Sequence, residues 1–160
     1  MSDRDMEFAD FVDAYAASLR RTAFLLCGDW HRAEDFVQVT LLKVHKSWTR
    51  LSGTPLGYSR QVLTNAVIDE SRRFWRREHP TYPMPDAEIS PPDTDSSVDL
   101  RRAMAALPAR QRAAVVLRYW EDLPIADVAR ILGCAEGTVK SQCAKGLAAL
   151  RAMVNLEVKP

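Results

Sequence analysis

At 160 residues, with 47% hydrophobic and 27% charged side chains, the chain is long enough for one ordinary domain or two small ones with packed cores. A formal net charge of only +1 excludes a protein that coats nucleic acid by bulk charge; such a contact has to come from local patches or be shared with a partner. No apolar run of membrane-spanning length and no signal-peptide start is present, so the expectation is a cytoplasmic chain with no membrane contact of its own.

The elements follow in order. Residues from about Asp5 to Cys27 carry Phe8, Phe11, Val12, Tyr15, Leu19, Ala23 and Leu26 at helical spacing, which predicts an amphipathic helix stopped by Gly28. Asp29 is placed to cap a second helix running to about Trp48, with Ala33, Phe36, Val37, Leu41, Val44 and Trp48 inward. The opposite face of that helix holds Asp35, Gln38, Val39 and Leu42, two polar and two apolar residues that read as a partner surface. A loop from Thr49 to Thr54 turns at Ser52-Gly53. Pro55 then suits the first position of a third helix reaching about Glu78, with Leu56, Leu63, Ala66, Val67 and Phe74 inward. That helix places Asn65, Asp69, Arg72, Arg73 and Arg76 along one side, with Arg77 following. Guanidinium groups near Trp48, Tyr58, Phe74 and Trp75 are the chemistry that holds unpaired bases, although a basic last turn also suits the helix dipole.

From 80 to 97 the composition changes to proline with Asp and Glu, a tether that cannot bury enough apolar surface to fold alone. Fully extended it reaches roughly 60 Å at about 3.3–3.6 Å per residue. Beyond it, Leu100, Met104 and Leu107 mark a short helix before Pro108. Ala109 to Trp120 marks another, with Ala113, Val116, Leu117 and Trp120 inward. Ile125, Val128, Ala129 and Leu132 then form one helical stripe, Gly133 ends it, and a last helix from about Glu136 carries Val139, Cys143, Leu147 and Leu150 inward. This leaves Lys140, Ser141, Gln142, Ala144 and Lys145 outward. A brace helix followed by a helix of short polar and cationic side chains is the arrangement of a helix–turn–helix that reads the major groove. The fold expected is all-α: two small helical domains, 1–79 and 98–160, on a flexible linker.

Other chemistries find little support. Cys27, Cys134 and Cys143 form no C-x-x-C pair and have no ligand spacing to His31, His45 or His79, so they read as reduced, buried thiols, with no metal and no cofactor expected. No paired carboxylates, nucleophile–base set or Gly-rich phosphate loop stands out, and no catalytic residue is expected.

Three segments in register resemble one family. Ala33-Glu34-Asp35-Phe36-Val37-Gln38-Val39-Thr40-Leu41-Leu42 resembles the polymerase-binding segment of bacterial sigma factors. Asn65-Ala66-Val67-Ile68-Asp69-Glu70-Ser71-Arg72-Arg73 resembles their promoter-melting, −10-reading helix. Leu107 to Arg112, Arg118 to Leu123, and Gly137-Thr138-Val139-Lys140-Ser141-Gln142 resemble their −35-reading domain. Size and layout are similar to the extracytoplasmic-function (ECF) class, and the Arg-Tyr-Trp-Glu-Asp-Leu segment to its short actinobacterial SigE-like group.

The resemblance implies a specificity subunit of RNA polymerase. Asp35, Gln38, Val39 and Leu42 would meet the clamp helices of the largest subunit. The Trp48–Pro55 loop, with Ser52 and Gly53, would capture a flipped −10 base. Asn65, Arg72, Arg73, Arg76 and Arg77 would line the −10 strand and adjoining duplex, and the acidic linker would thread toward the active-site cleft. Lys140, Ser141, Ala144 and Lys145 match positions that meet −35 bases, with Gln142 able to pair with adenine if it points into the groove. Gly137 and Thr138 would hold phosphate. Implied partners are core RNA polymerase, including its flap, promoter DNA as duplex and melted strand, and an anti-sigma factor. The chain departs from the family at Val39, often acidic, and at Gln142 and Lys145, often arginine. No appended sensor domain is expected after Pro160. The alternatives are a stand-alone LuxR-like regulator, or a helical adaptor whose helix–turn–helix is only structural.

Overall fold

The computed structural model describes residues 2–77 and 95–158, and among them every regular element is helical. The chain divides into two compact units, Met1–Val67 and Ile68–Pro160, the break falling inside the third helix.

In the first unit, α1 spans Asp3–Cys27. It opens with a capping box: Ser2 Oγ accepts from the Asp5 N–H (3.2 Å) while Asp5 Oδ2 accepts from the Ser2 N–H (3.4 Å). The Ser2 hydroxyl, which donates to Asp5 Oδ2 at 2.9 Å, and then the Ser2 N–H hold the Asp5 carboxyl below its ordinary pKa. α1 ends at Gly28, whose φ of 79° is the left-handed conformation that a glycine adopts without a Cβ clash; its N–H donates to Phe24 O at 2.7 Å. Asp29 caps α2 (Trp30–Ser47) by accepting from the His31 and Arg32 N–H groups at 2.8 and 3.1 Å.

α1 packs on α2, burying Phe11, Leu19, Ala23 and Leu26 with Ala33, Phe36, Val37 and Val44. Each large side chain so buried contributes about 1.5–3 kcal/mol. Tyr15, expected on the stripe, is exposed. Trp48 lies past the end of α2 in a 3₁₀ turn, Trp48–Arg50. α3 runs Pro55–Arg77, with Pro55 at its start as expected and the Thr54 hydroxyl accepting from the Gly57 N–H at 3.0 Å.

Thr40 on α2 and Thr64 on α3 are fully buried, and neither hydroxyl has a hydrogen-bond partner. An unpaired buried hydroxyl costs roughly 1–3 kcal/mol, whereas valine has the same shape without the polar atom. Thr40→Val and Thr64→Val are each expected to raise stability by about 1 kcal/mol, read as a higher midpoint in chemical denaturation. A lowered midpoint would mean that each hydroxyl is satisfied by buried water.

In the second unit, α4 spans Asp95–Ala106, starting inside the segment expected to be linker; the rest of that segment lies outside the described residues. Arg112 closes the C-terminal end of α4, donating to the carbonyls of Met104 (2.8 Å), Ala105 (3.1 Å) and Leu107 (2.8 Å). α5 (Ala109–Val115) continues into a π turn, Val116–Trp120, closed by Glu121 N–H to Val116 O at 3.0 Å. The wider turn retards the helical phase by about 100°. Trp120, expected inward, is therefore exposed, and Tyr119 beside it is exposed as well. The following Asp122 has a left-handed φ of 55°.

α6 is Ile125–Leu132 and α7 is Glu136–Val158. Between them Gly133 (φ 66°) makes a Schellman turn, with Gly133 N–H to Arg130 O at 3.3 Å and Cys134 N–H to Ala129 O at 3.0 Å. α6 buries Val128, Ala129, Ile131 and Leu132, while Ile125, at the helix start, is only half-buried. α5 and α6 both pack on α7, which buries Val139, Cys143, Gly146 and Leu150 at i, i+4, i+7 and i+11. Burial pushes the Cys143 thiol pKa up, so that it stays protonated and inert.

Candidate nucleic-acid interface and partner face

Three surfaces carry the residues singled out from sequence. The first is the outer face of α2. Asp35 and Gln38 are exposed, as are Val39 (45%) and Leu42 (62%). The inner face of the same helix holds Ala33, Phe36, Val37, Thr40 and Val44, so the two apolar residues outside are in excess of what the core uses. Exposed apolar side chains bracketed by a carboxylate and an amide suit a protein partner better than water.

The second surface is the 3₁₀ turn with its loop, and α3. Ser52 and Gly53 are exposed at the loop tip. Trp48 is half-buried: its ring meets Phe8 edge-on at 5.5 Å and Phe11 at 5.6 Å, and its Nε1–H donates to Glu7 Oε2 at 3.4 Å. The indole is thus tied to α1, while the two residues at the tip stay open. On α3, Arg72 and Arg73 are exposed and Asn65 is half-buried. The side chains of Arg76 and Arg77 lie outside the described residues.

The third surface is the first half of α7. Gly137, Thr138, Lys140, Ser141, Ala144 and Lys145 are all exposed. Gln142, expected outward with them, is half-buried. At 100° per residue it sits about 60° from Val139 and 40° from Gly146, both buried, and so belongs to the flank of the packed stripe rather than to the outer face. The exposed set combines free N–H groups of a helix N-terminus, which suit a phosphate, with two ammonium groups and two small side chains, which suit a groove floor.

Sequence reasoning missed two features that shape this third surface. Arg110 Nη2 donates to the carbonyl of Leu132, the last residue of α6, at 2.7 Å. Gly146 sits where α7 comes nearest α5: a Cβ there would lie 2.7 Å from Val115 Cγ2. Arg110 is part of a quoted motif, but nothing in the sequence names a partner 22 residues away; Gly146, a glycine inside a helical pattern, was a legible signal of close packing. Among the described residues no group of His, Cys, Asp and Glu could hold a metal ion, and no helix is long and apolar enough to cross a membrane.

Known proteins share this arrangement. Residues 11–77 match the family described as Sigma-70 region 2, and residues 97–150 match Sigma-70, region 4. The chain is 32% identical over 151 residues to the RNA polymerase sigma-E factor of Streptomyces avermitilis, covering 91% of this chain and 84% of that protein. It is 36% identical over 148 residues to the ECF RNA polymerase sigma factor SigL of Mycobacterium tuberculosis, covering 87% and 84%. Its structure is similar to the sigma factor RpoE of Bartonella quintana, solved in complex with the anti-sigma factor NepR, with a TM-score of 0.78, 25% identity, and coverage of 96% of this chain and 99% of that one.

Proposed function

The chain belongs to the sigma-70 family of RNA polymerase sigma factors, and on that premise we propose how its surfaces divide the work of initiation. It is an alternative sigma factor of the ECF class: it joins core RNA polymerase, recognises promoter DNA and starts transcription.

Asp35, Gln38, Val39 and Leu42 form the face that docks on the clamp helices of the largest polymerase subunit. Ser52 and Gly53 at the loop tip receive the flipped −10 base, and Trp48 holds that loop in place through α1 rather than stacking on the base itself. Flipping costs a few kcal/mol, which a pocket fitting one base returns selectively. Asn65, Arg72 and Arg73, with Arg76 and Arg77 further along α3, guide the −10 strand and neighbouring duplex. Lys140, Ser141 and Ala144 meet the −35 bases from the major groove, Lys145 flanks them on the side of the DNA backbone, and Gly137 and Thr138 at the start of α7 anchor a phosphate. Gln142, half-buried on the flank of the packed stripe, stands at the edge of this set. An anti-sigma factor restrains the protein until it is needed, as the complex of the Bartonella quintana relative suggests.

The observation that carries this reading is the split of α7 into two faces. Val139, Cys143 and Gly146 are buried, while Lys140, Ser141, Ala144 and Lys145 on the same two turns are exposed beside an open helix N-terminus. Near-neutral net charge fits a protein that leaves most of the DNA affinity to polymerase.

The test is multi-round transcription by purified core polymerase, with and without the protein, on a library of upstream fragments. Protein-dependent transcripts sharing a two-part motif are expected. Arg72→Ala with Arg73→Ala should then lower permanganate reactivity at the start site at least tenfold while leaving core binding intact. Tight sequence-specific binding by the protein alone, with no transcripts, would instead identify the stand-alone regulator.

A further inference from the structure

α7 packs on α4, α5 and α6, and two features tie its position to α5: a close approach at Gly146 and a hydrogen bond at the turn that precedes it; neither involves a residue that faces DNA. At Gly146, α7 comes so near α5 that a Cβ would fall 2.7 Å from Val115 Cγ2 and 3.6 Å from the Gln111 carbonyl oxygen. Val115 is itself buried and β-branched, so its methyl has little freedom to turn aside. Any side chain at 146 therefore displaces α7 from α5. Gly146 lies about 160° round the helix from Ala144 and 140° from Ser141, so the displacement acts from beneath the reading face.

The second feature holds the turn that leads into α7. Arg110, the second residue of α5, donates to the Leu132 carbonyl at 2.7 Å. That carbonyl belongs to the last residue of α6, immediately before the Gly133 turn that delivers the start of α7. A guanidinium on a helix C-terminal carbonyl satisfies an orphan acceptor and complements the helix dipole. Here it also ties the turn to α5, the helix that Gly146 packs against. The close approach to α7 and the tie to the turn before it thus lead to one element.

We propose that α5 is the mount of the reading helix, that Gly146 and Arg110 are positioning residues for −35 recognition, and that the Gly146–Val115 approach sets how deeply Lys140, Ser141 and Ala144 enter the groove. This rests on the assignment of α7 to the −35 element. Base readout depends on hydrogen bonds that weaken within a few tenths of an ångström and fail beyond about 3.5 Å, whereas phosphate attraction and docking on polymerase tolerate such shifts. A displaced α7 therefore loses discrimination before it loses binding.

The experiment uses the full-length protein with core polymerase and compares transcription from the preferred promoter with that from promoters altered only at the −35 or only at the −10 element. Gly146→Ala is expected to reduce the −35 preference at least tenfold, leaving the −10 preference and core binding unchanged. Val115→Ala removes the methyl that the new Cβ would strike, so the Val115→Ala, Gly146→Ala double variant should recover the preference to within threefold of wild type. Arg110→Ala should reduce it as well, and Arg110→Lys, which keeps a cationic donor, should recover part of it. Thermal unfolding of each variant separates misfolding from misplacement: if Gly146→Ala alone unfolds the unit, the double variant and the Arg110 pair still decide the matter.

An unchanged −35 preference in folded Gly146→Ala, or a folded double variant no better than the single one, overturns the mount. If wild type shows a −35 preference that neither Lys140→Ala nor Lys145→Ala alters, the assignment of α7 fails instead, and the mount with it.

Discussion

Replacing Asp35 and Gln38 together by alanine is expected to abolish co-elution with core RNA polymerase while leaving the helical signal and unfolding midpoint of the protein unchanged. Both side chains are exposed on α2, and the residues that hold α2 against α1 are on its other face. Exposed substitutions of this kind usually change stability by no more than about 0.5 kcal/mol. At an interface the same residues behave differently. A carboxylate and an amide beside Val39 and Leu42 become partly desolvated on docking, and losing a polar contact there costs about 2 kcal/mol or more each. If the two residues act as one anchor, the pair costs about 3–4 kcal/mol, a few hundredfold in dissociation constant. The apolar half of the face makes a second, smaller forecast: Leu42→Ala weakens the complex and does not destabilise the protein, because that side chain is 62% exposed before docking. Retained co-elution by the double variant would move the polymerase contact off α2.

Much of this fold was legible because its boundaries are set by local chemistry. Gly28, Asp29, Pro55 and Gly133 each do in the structure what their backbone or side-chain chemistry makes easy: a left-handed stop, an N-cap, a first helical position and a Schellman turn. The outer face of α2 was legible for a related reason, since Val39 and Leu42 stand outside the stripe that the core needs. What could not be read depends on a local irregularity, on helical phase and on contacts distant in sequence. The π turn at Val116–Trp120 inserts a residue into an otherwise regular pattern, so Trp120 fell on the wrong side of the expected helix. Gln142 was misplaced because its polarity suggested an outward position, whereas the helical phase set by Val139 and Gly146 puts it on the flank of the core. Trp48 keeps company with Phe8 and Phe11, some forty residues earlier, and only that packing reveals that it supports the loop.

Lys140→Ala and Lys145→Ala are expected to separate two kinds of DNA contact that sequence alone treats as one. Both ammonium groups are exposed on α7. A lysine that donates to guanine O6 or N7 contributes about 1–3 kcal/mol of discrimination, roughly five- to 150-fold between preferred and altered −35 sequences. A lysine on phosphate contributes to every sequence equally and instead reduces the salt dependence of binding by about one unit of slope. Helical phase distinguishes the two. Lys140 lies within 60° of Gly137 and Ala144, the small residues that allow the helix to approach the groove floor, whereas Lys145 lies about 100° from Ala144 and closer to Thr138, on the side that would face the backbone. Lys140→Ala should therefore flatten the −35 preference with little change in salt slope, and Lys145→Ala should do the reverse. Transcription titrated against salt on preferred and altered promoters reads both quantities at once. A Lys140→Ala protein that keeps the wild-type preference and loses only salt dependence would reverse the two roles, and would turn α7 about its axis so that Lys145 and Ser141 face the bases.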